Sequence, residues 1–406
     1  MKWENVRLGD ICSKIGSGAT PRGGSTVYRD SGISLVRSQN VYNLYFNYNG
    51  LAYVSNVAAK KLNNVAIEEN DILLNITGDS VARTCVVPEE ILPARVNQHV
   101  SIIRPMDNLL NYKYLIYYLA SPYMQAYMLN LAVGKGASRN ALTKSMIEDF
   151  PIPLPPMEIQ IRIAGILSAY DDLIENNQKQ IKLLEETSMR LYKEWFVNLR
   201  FPGYKTAKIV DGVPEGWGRK KLIHIADIKM GQSPKSEYYN DKQQGLPFHQ
   251  GVTNYGYRFA IDETYSTSYT RIAEAGSILF SVRAPVGRMN ITKNKIVIGR
   301  GLAAINHREG LQSFLFYMLK NRFYKDDLIG NGAIYASITK AALYSQEFLI
   351  PSDDLADEFN VIAKEIDQCI TNADRQIILL QQARDRLLPK LMSGEIEIQP
   401  YERGDI

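Results

Sequence analysis

Polar side chains suited to reading a nucleic-acid surface gather in short loops in two parts of this 406-residue chain. In the N-terminal part they are Lys14 and Arg22 around a Gly/Ser turn, then Arg37, Gln39 and Asn40, then Thr77 and Arg83, and then Lys135, Ser138, Arg139 and Lys144. In the C-terminal part they are Lys229, Gln232 and Lys235, then Gln250, Thr253 and Asn254, then Arg283 and Arg288, and then Tyr335 and Lys340. A guanidinium matches the acceptors of guanine, and a carboxamide matches the donor and acceptor of adenine. Lysines, hydroxyls and main-chain N–H groups at Gly-rich turns hold phosphates. One such loop alone fits an ordinary polar surface. Two matching series of them point to nucleic-acid reading.

The patterns that would mark a catalyst are missing. No GxxxxGK[ST] run is present, so a phosphate-binding P-loop is not expected. His99, His224, His249 and His307 are scattered, with no HExxH and no acidic companion at ligand spacing, which argues against a metal site. The stretch Asp71-Ile72-Leu73-Leu74-Asn75 lacks the prolines that an amino-methyltransferase motif would place after the asparagine. The chain therefore reads as a binding protein with no catalytic residues of its own.

Two long helices must position these loops. Ile166, Tyr170, Leu173, Asn177, Ile181, Leu184, Ser188, Leu191 and Trp195 follow one another at steps of three or four. That spacing places them on one helix stripe, backed by charged and amide residues. A helix of this length spans about 60 Å and needs a partner. The positions 196 residues further on are Ile362, Ile366, Cys369, Ala373, Ile377, Leu380, Arg384, Leu387 and Leu391. QIKLLEE at 180–186 returns as QIILLQQ at 376–382. We expect pairing through Ile166, Tyr170, Leu173, Ile181, Leu184 and Leu191 on one helix and Ile362, Ile366, Ile377, Leu380 and Leu387 on the other.

The repeat reaches beyond the helices. NDILLNITGDSVARTCVV (70–87) parallels AGSILFSVRAPVGRMNIT (275–292), and NQHVSIIR (97–104) parallels GRGLAAIN (299–306). YLIYYL (114–119) parallels FLFYML (314–319). The blocks keep their order, so the chain is a duplication. The net charge of +4 and pI near 8.7 permit an acidic partner without demanding one. Three distant cysteines with no CxxC suit a reducing cytoplasm. The apolar stretch 112–133 carries Lys113, Pro122, Gln125 and Asn130, so it reads as a soluble aromatic-rich helix pair.

IPLPPMEIQIRIAGIL, the helix after it, LYKEWFVNLRFPGY with DGVPEGW at the centre, and RLLPKLMSGEI at 386–396 resemble the specificity (S) subunit of type I restriction-modification enzymes. The resemblance covers essentially the whole chain. It implies an α+β fold in which two repeated α/β target recognition domains are separated by two long helices. The helices would pair as an antiparallel coiled coil with pseudo-two-fold symmetry. The expected boundaries are 1–155 for the first recognition domain and 156–200 for the central helix. Linker and second recognition domain would cover 201–351, and the C-terminal helix and tail 352–406.

The resemblance further implies a noncatalytic scaffold that binds double-stranded DNA at a bipartite site. Two methyltransferase (M) subunits would carry S-adenosylmethionine and methylate adenine N6. Restriction (R) subunits, where present, would bring ATP and Mg. No cofactor is expected on this chain, and its place would be the cytoplasm. The alternative is a stand-alone symmetric DNA-binding regulator or architectural protein, which would bind without partners.

Overall fold

A computed structural model of the chain describes residues 3–133, 141–323 and 337–398. The chain divides into two units. One comprises 1–174 with 378–406, and the other is the continuous segment 175–377. Each long helix therefore contributes one part to each unit.

In the first unit, strands Cys12–Ser17, Val100–Pro105, Ile72–Asn75 and Thr84–Val86 form an antiparallel sheet in that order. A second sheet runs Ala52–Val54, Ile33–Val36, Ala94–Val96, Ala66–Ile67, and its central pair is parallel. Every residue of Ile72–Asn75 is buried, because both faces of its sheet are covered. Alternate side chains serve opposite cores, as the two-residue period of a strand requires. Ile72, Leu74 and Ile103 face the helical side with Tyr114, Leu115 and Tyr118. Leu73, Val100 and Ile102 face the second sheet with Val36, Ala94 and Val96.

The second unit repeats this frame. Ala226–Met230, Leu302–His307, Ile278–Ser281 and Met289–Ile291 make the first sheet. Leu246–His249 and Ile296–Ile298 are the parallel pair of the second. Ile278, Phe280 and Ile305 face the helices, while Leu279, Leu302 and Ala304 face the other sheet. The aromatic helices are Tyr112–Ala120 and Gln312–Phe323, with 114–119 and 314–319 wholly buried. No helix among the described residues is long and apolar enough to cross a membrane.

One glycine position locks the frame in both units. A Cβ on Gly18 would lie 2.2 Å from the Val96 carbonyl oxygen, and one on Gly231 2.1 Å from that of Gly299. Only glycine lets the end of the first strand come so close to the loop leaving the parallel pair.

The long helices are Met157–Phe196 and Asp353–Ser393. In the first unit Ile159, Ile163 and Leu167 share a core with Leu388, Leu391 and Met392. In the second, Tyr192, Trp195 and Phe196 share one with Leu355, Phe359 and Ala363. In each unit, then, the early part of one helix meets the late part of the other, and the paired segments run antiparallel.

The pairing seam differs from the expected stripe. Ile166 and Leu173 are exposed, and Tyr170 is only partly buried. The buried positions are Leu167, Ile174, Ile181, Ser188 and Trp195, seven residues apart throughout. The expected stripe took two four-residue steps in succession, Leu173 to Asn177 to Ile181. Eight residues turn a helix about 80° past two full turns, whereas seven fall only about 20° short. The stripe therefore slipped by one residue N-terminal to Asn177. The second helix keeps the same seven-residue spacing with Ala356, Ala363, Ile370, Ile377 and Leu391 buried. Ile362, Ile366, Leu380 and Leu387 flank that seam half-buried, as do Leu184 and Leu191 on the first helix, while Cys369 is exposed.

Candidate nucleic-acid interface

An open cleft of about 550 Å³ lies at one edge of the first unit, lined by Ser38, Gln39, Tyr42, Thr77, Asp79, Ser80, Arg83 and His99 among others. The loops that leave the parallel pair and the central strands of the first sheet converge there. Arg83 lays its guanidinium over the Tyr42 ring, 4.5 Å from the centroid. The ring holds the flat face of the guanidinium and leaves its N–H edge free to meet an acceptor. Thr77 Oγ1 lies 2.7 Å from His99 Nδ1. The cleft thus offers donors and acceptors on short side chains, which suits base edges.

Three of the residues singled out in the sequence, Gln39, Thr77 and Arg83, meet in this cleft. His99 and Tyr42 were missed. The signal for His99 was the repeated block 97–104, whose polar start faces the same rim.

Other expected contacts have structural roles. Asn40 is wholly buried: its Oδ1 accepts from the Arg37 amide (3.0 Å), and its Nδ2 donates to the Asn47 carbonyl (2.8 Å). It closes a loop and is not displayed to a ligand, because a buried carboxamide must satisfy its own polar atoms. Arg37 and Gln39 both donate to the Gly50 carbonyl of that loop. Lys14 Nζ donates to the carbonyls of Asn64 (3.0 Å) and Ala66, and burial is the main cause lowering its pKa. Lys229 Nζ donates to the Ile272 carbonyl at 2.9 Å. Each of these lysines ties the first sheet to the second within its unit.

Arg22 is exposed on its loop. Lys144 is exposed and pairs with Glu148 at 3.5 Å, and Lys340 sits 5.3 Å from the centroid of the Tyr344 ring. Lys135, Ser138, Arg139 and Tyr335 lie outside the described residues.

In the second unit the matching rim carries other side chains. Gln250 is the first residue after the parallel strand Leu246–His249, the place that Arg37 holds after Ile33–Val36 in the first unit. Its Oε1 accepts from Ser233 Oγ at 2.7 Å, and Ser233 Oγ accepts from the Arg300 amide at 3.2 Å. Arg283 pairs in an isolated bridge with Ser337, as Thr77 does with Ala141. Arg283 therefore occupies the place of Thr77, and Arg300 that of Gln98 in the repeated block. Arg283, Arg288, Arg300, Gln232, Lys235 and Thr253 are all exposed. Asn254 Nδ2 donates to Glu263 at 2.6 Å.

Among the described residues, no three His, Cys, Asp or Glu side chains lie together as a metal site would need. Burial pushes the Cys12 and Cys85 thiols up to about 12, so neither is a thiolate at neutral pH.

A family model described as the type I restriction modification DNA specificity domain matches residues 1–186 and again 214–387. A putative type I restriction enzyme MjaX specificity subunit from Methanocaldococcus jannaschii is 28% identical, over 98% of this chain and 94% of its own length. The type I restriction enzyme MjaIX specificity subunit of the same organism is 25% identical over the same shares. The solved S subunit of a type-I restriction-modification system from M. genitalium is 16% identical, with 96% of each chain covered and a TM-score of 0.53. That last likeness is one of fold. With one copy of the family model on each half, the chain belongs to the type I restriction modification DNA specificity family.

Proposed function

We propose that this specificity subunit reads a bipartite double-stranded DNA site, one half through each recognition domain, and delivers the DNA to methyltransferase subunits. One observation carries this reading: the two units share a backbone frame down to Gly18 and Gly231, yet differ in the polar side chains at the matching rim. Thr77 stands against Arg283, and Gln98 against Arg300. Two copies of one scaffold with different rim chemistry suit two different half-sites. Half-sites about 34–36 Å apart, one DNA turn, would suit such a dimer-like reader.

In this reading the chain itself is not an enzyme. Two M subunits bring S-adenosylmethionine and methylate adenine N6 after flipping the base into their own pocket. R subunits, where present, bring ATP and Mg for cleavage. The assembly works in the cytoplasm. Mapping of modified adenines by single-molecule sequencing, in cells carrying this chain with its methyltransferase, tests the proposal. The expected result is one bipartite motif with a fixed spacer. Methylation by the purified chain alone, or modified sites with a single contiguous motif, would overturn it.

A further inference from the structure

The loop that carries Gln250, Thr253 and Asn254 continues directly to Arg258, the largest fully buried side chain of the described residues. Arg258 Nη2 donates to Asp367 Oδ1 at 2.7 Å, and its Nη1 to Glu185 Oε1 at 3.3 Å. Asp367 belongs to the second long helix and Glu185 to the first. The guanidinium also stacks 3.5 Å from the centroid of the Phe316 ring, on the aromatic helix. Both carboxylates have further partners. Asp367 accepts from Ser313 Oγ (2.6 Å) and the Tyr317 hydroxyl (2.9 Å), and Glu185 from Lys320 (2.9 Å). One arginine thus joins the loop to two helices at their paired segment.

The loop itself is stiff. Tyr255 donates to the Leu279 carbonyl at 2.9 Å, and the Ile291 amide to the Arg258 carbonyl at 2.9 Å. Within the loop the Gly256 amide donates to the Phe259 carbonyl, the Ile261 amide to the Asn254 carbonyl and the Tyr255 amide to the Val252 carbonyl, so a shift at Arg258 carries to Asn254 and Thr253. The corresponding loop of the first unit is braced on itself, through Asn40 and the Gly50 carbonyl, with no arginine reaching the helices.

We propose that Arg258 is a positioning residue for DNA recognition, registering the second domain's reading loop to both long helices through Asp367 and Glu185. This rests on the bipartite reading above. A guanidinium suits the task because its planar fork fixes direction as well as distance. Recognition in the second half-site, and the spacer between half-sites, then depend on two carboxylates of the long helices.

The test uses the complex of this chain with its methyltransferase subunits on DNA libraries randomised in either half-site or in the spacer. The variant Arg258→Met/Glu185→Gln/Asp367→Asn removes these three charges, leaves no carboxylate buried without its arginine, and keeps an amide oxygen at position 185 to accept from Lys320. It should keep its selectivity in the first half-site, lose at least tenfold in the second, and methylate sites with spacers one base pair too short or too long. Arg258→Lys, which cannot span both carboxylates, should fall between. A merely structural role would weaken all sites alike and leave the ratio between half-sites unchanged. Wild-type selectivity and spacer choice in the folded triple variant would overturn the proposal. If the triple variant does not fold, Arg258→Lys decides, and wild-type selectivity there has the same meaning. Failure of the wild-type complex to select any bipartite site would instead refute the function on which this rests.

Discussion

Two aspartates 196 residues apart occupy the same place in the two units and are neutralised in different ways. Asp171 accepts from the Tyr117 hydroxyl and pairs with Arg384. Asp367 accepts from the Tyr317 hydroxyl and pairs with Arg258. The tyrosine and aspartate were copied with the rest of the repeat. The arginine was not: in the first unit it comes from the opposite long helix, and in the second from the recognition domain. Where Arg384 would repeat on the first helix, Ser188 stands. Burial opposes the charge of both arginines, yet the carboxylates outweigh it and the pKa of each is raised. A partly buried aspartate in a low-dielectric site favours a cation beside it, but the frame does not dictate which element supplies it.

The sharpest way to break this comparison is to truncate each arginine. Arg258 is 1% exposed and Arg384 15%. Arg258→Ala should cost the second unit about 3–5 kcal/mol, as when a buried pair loses one member. Arg384→Ala should cost the first unit about 1.5–3 kcal/mol, the range for a charged hydrogen bond. Hydrogen exchange of the amides in 278–281 and 72–75 reads the two units separately, and equal losses would erase the distinction.

A comparison of neighbours on one helix comes next in size. Leu167→Ala should destabilise the first unit by about 2–5 kcal/mol, whereas Ile166→Ala should change stability by less than about 0.5 kcal/mol. Denaturant unfolding separates them, and the reverse order would restore the original stripe.

Smaller effects concern specificity. Arg83→Ala should relax base choice in one half-site by about 1–3 kcal/mol, and Arg300→Ala in the other by a similar amount. Methylation of half-site libraries would show it, and loss in both halves from either variant would mean that the two rims are not independent. The smallest change is expected at Lys235, which is exposed and 3.9 Å from Glu237. Its replacement by Ala should lower the salt dependence of binding by about one phosphate contact without altering sequence preference.

The duplication, the two long helices and the aromatic helix were legible because each leaves a periodic or repeated record. The phase of the helical stripe was not, since a single extra four-residue step turns the face and both Ile166 and Leu167 are apolar. Asn40 shows a second limit. A carboxamide in a polar loop has the same letter whether it meets a base or closes its own turn, and only its burial tells. Arg258 shows a third. Its loop sequence, TNYGYRF, gives no sign of a charge that lies buried between two helices more than seventy residues away in one direction and a hundred in the other. His99 was passed over because a histidine has a partner only in three dimensions, here Thr77.

The first unit is assembled from two distant pieces of chain, 1–174 and 378–406, whereas the second is continuous. Synthesis on the ribosome adds about 5–20 residues per second, beginning at the N-terminus. All of the second unit's chain is therefore made before the first unit receives Leu388, Leu391 and Met392. Until then Ile159, Ile163 and Leu167 lack the cover those residues give them in the finished core. The half of the protein that is begun first is the last to be completed, and termination between 378 and 388 would release a chain with a whole second unit and an open, sticky first one.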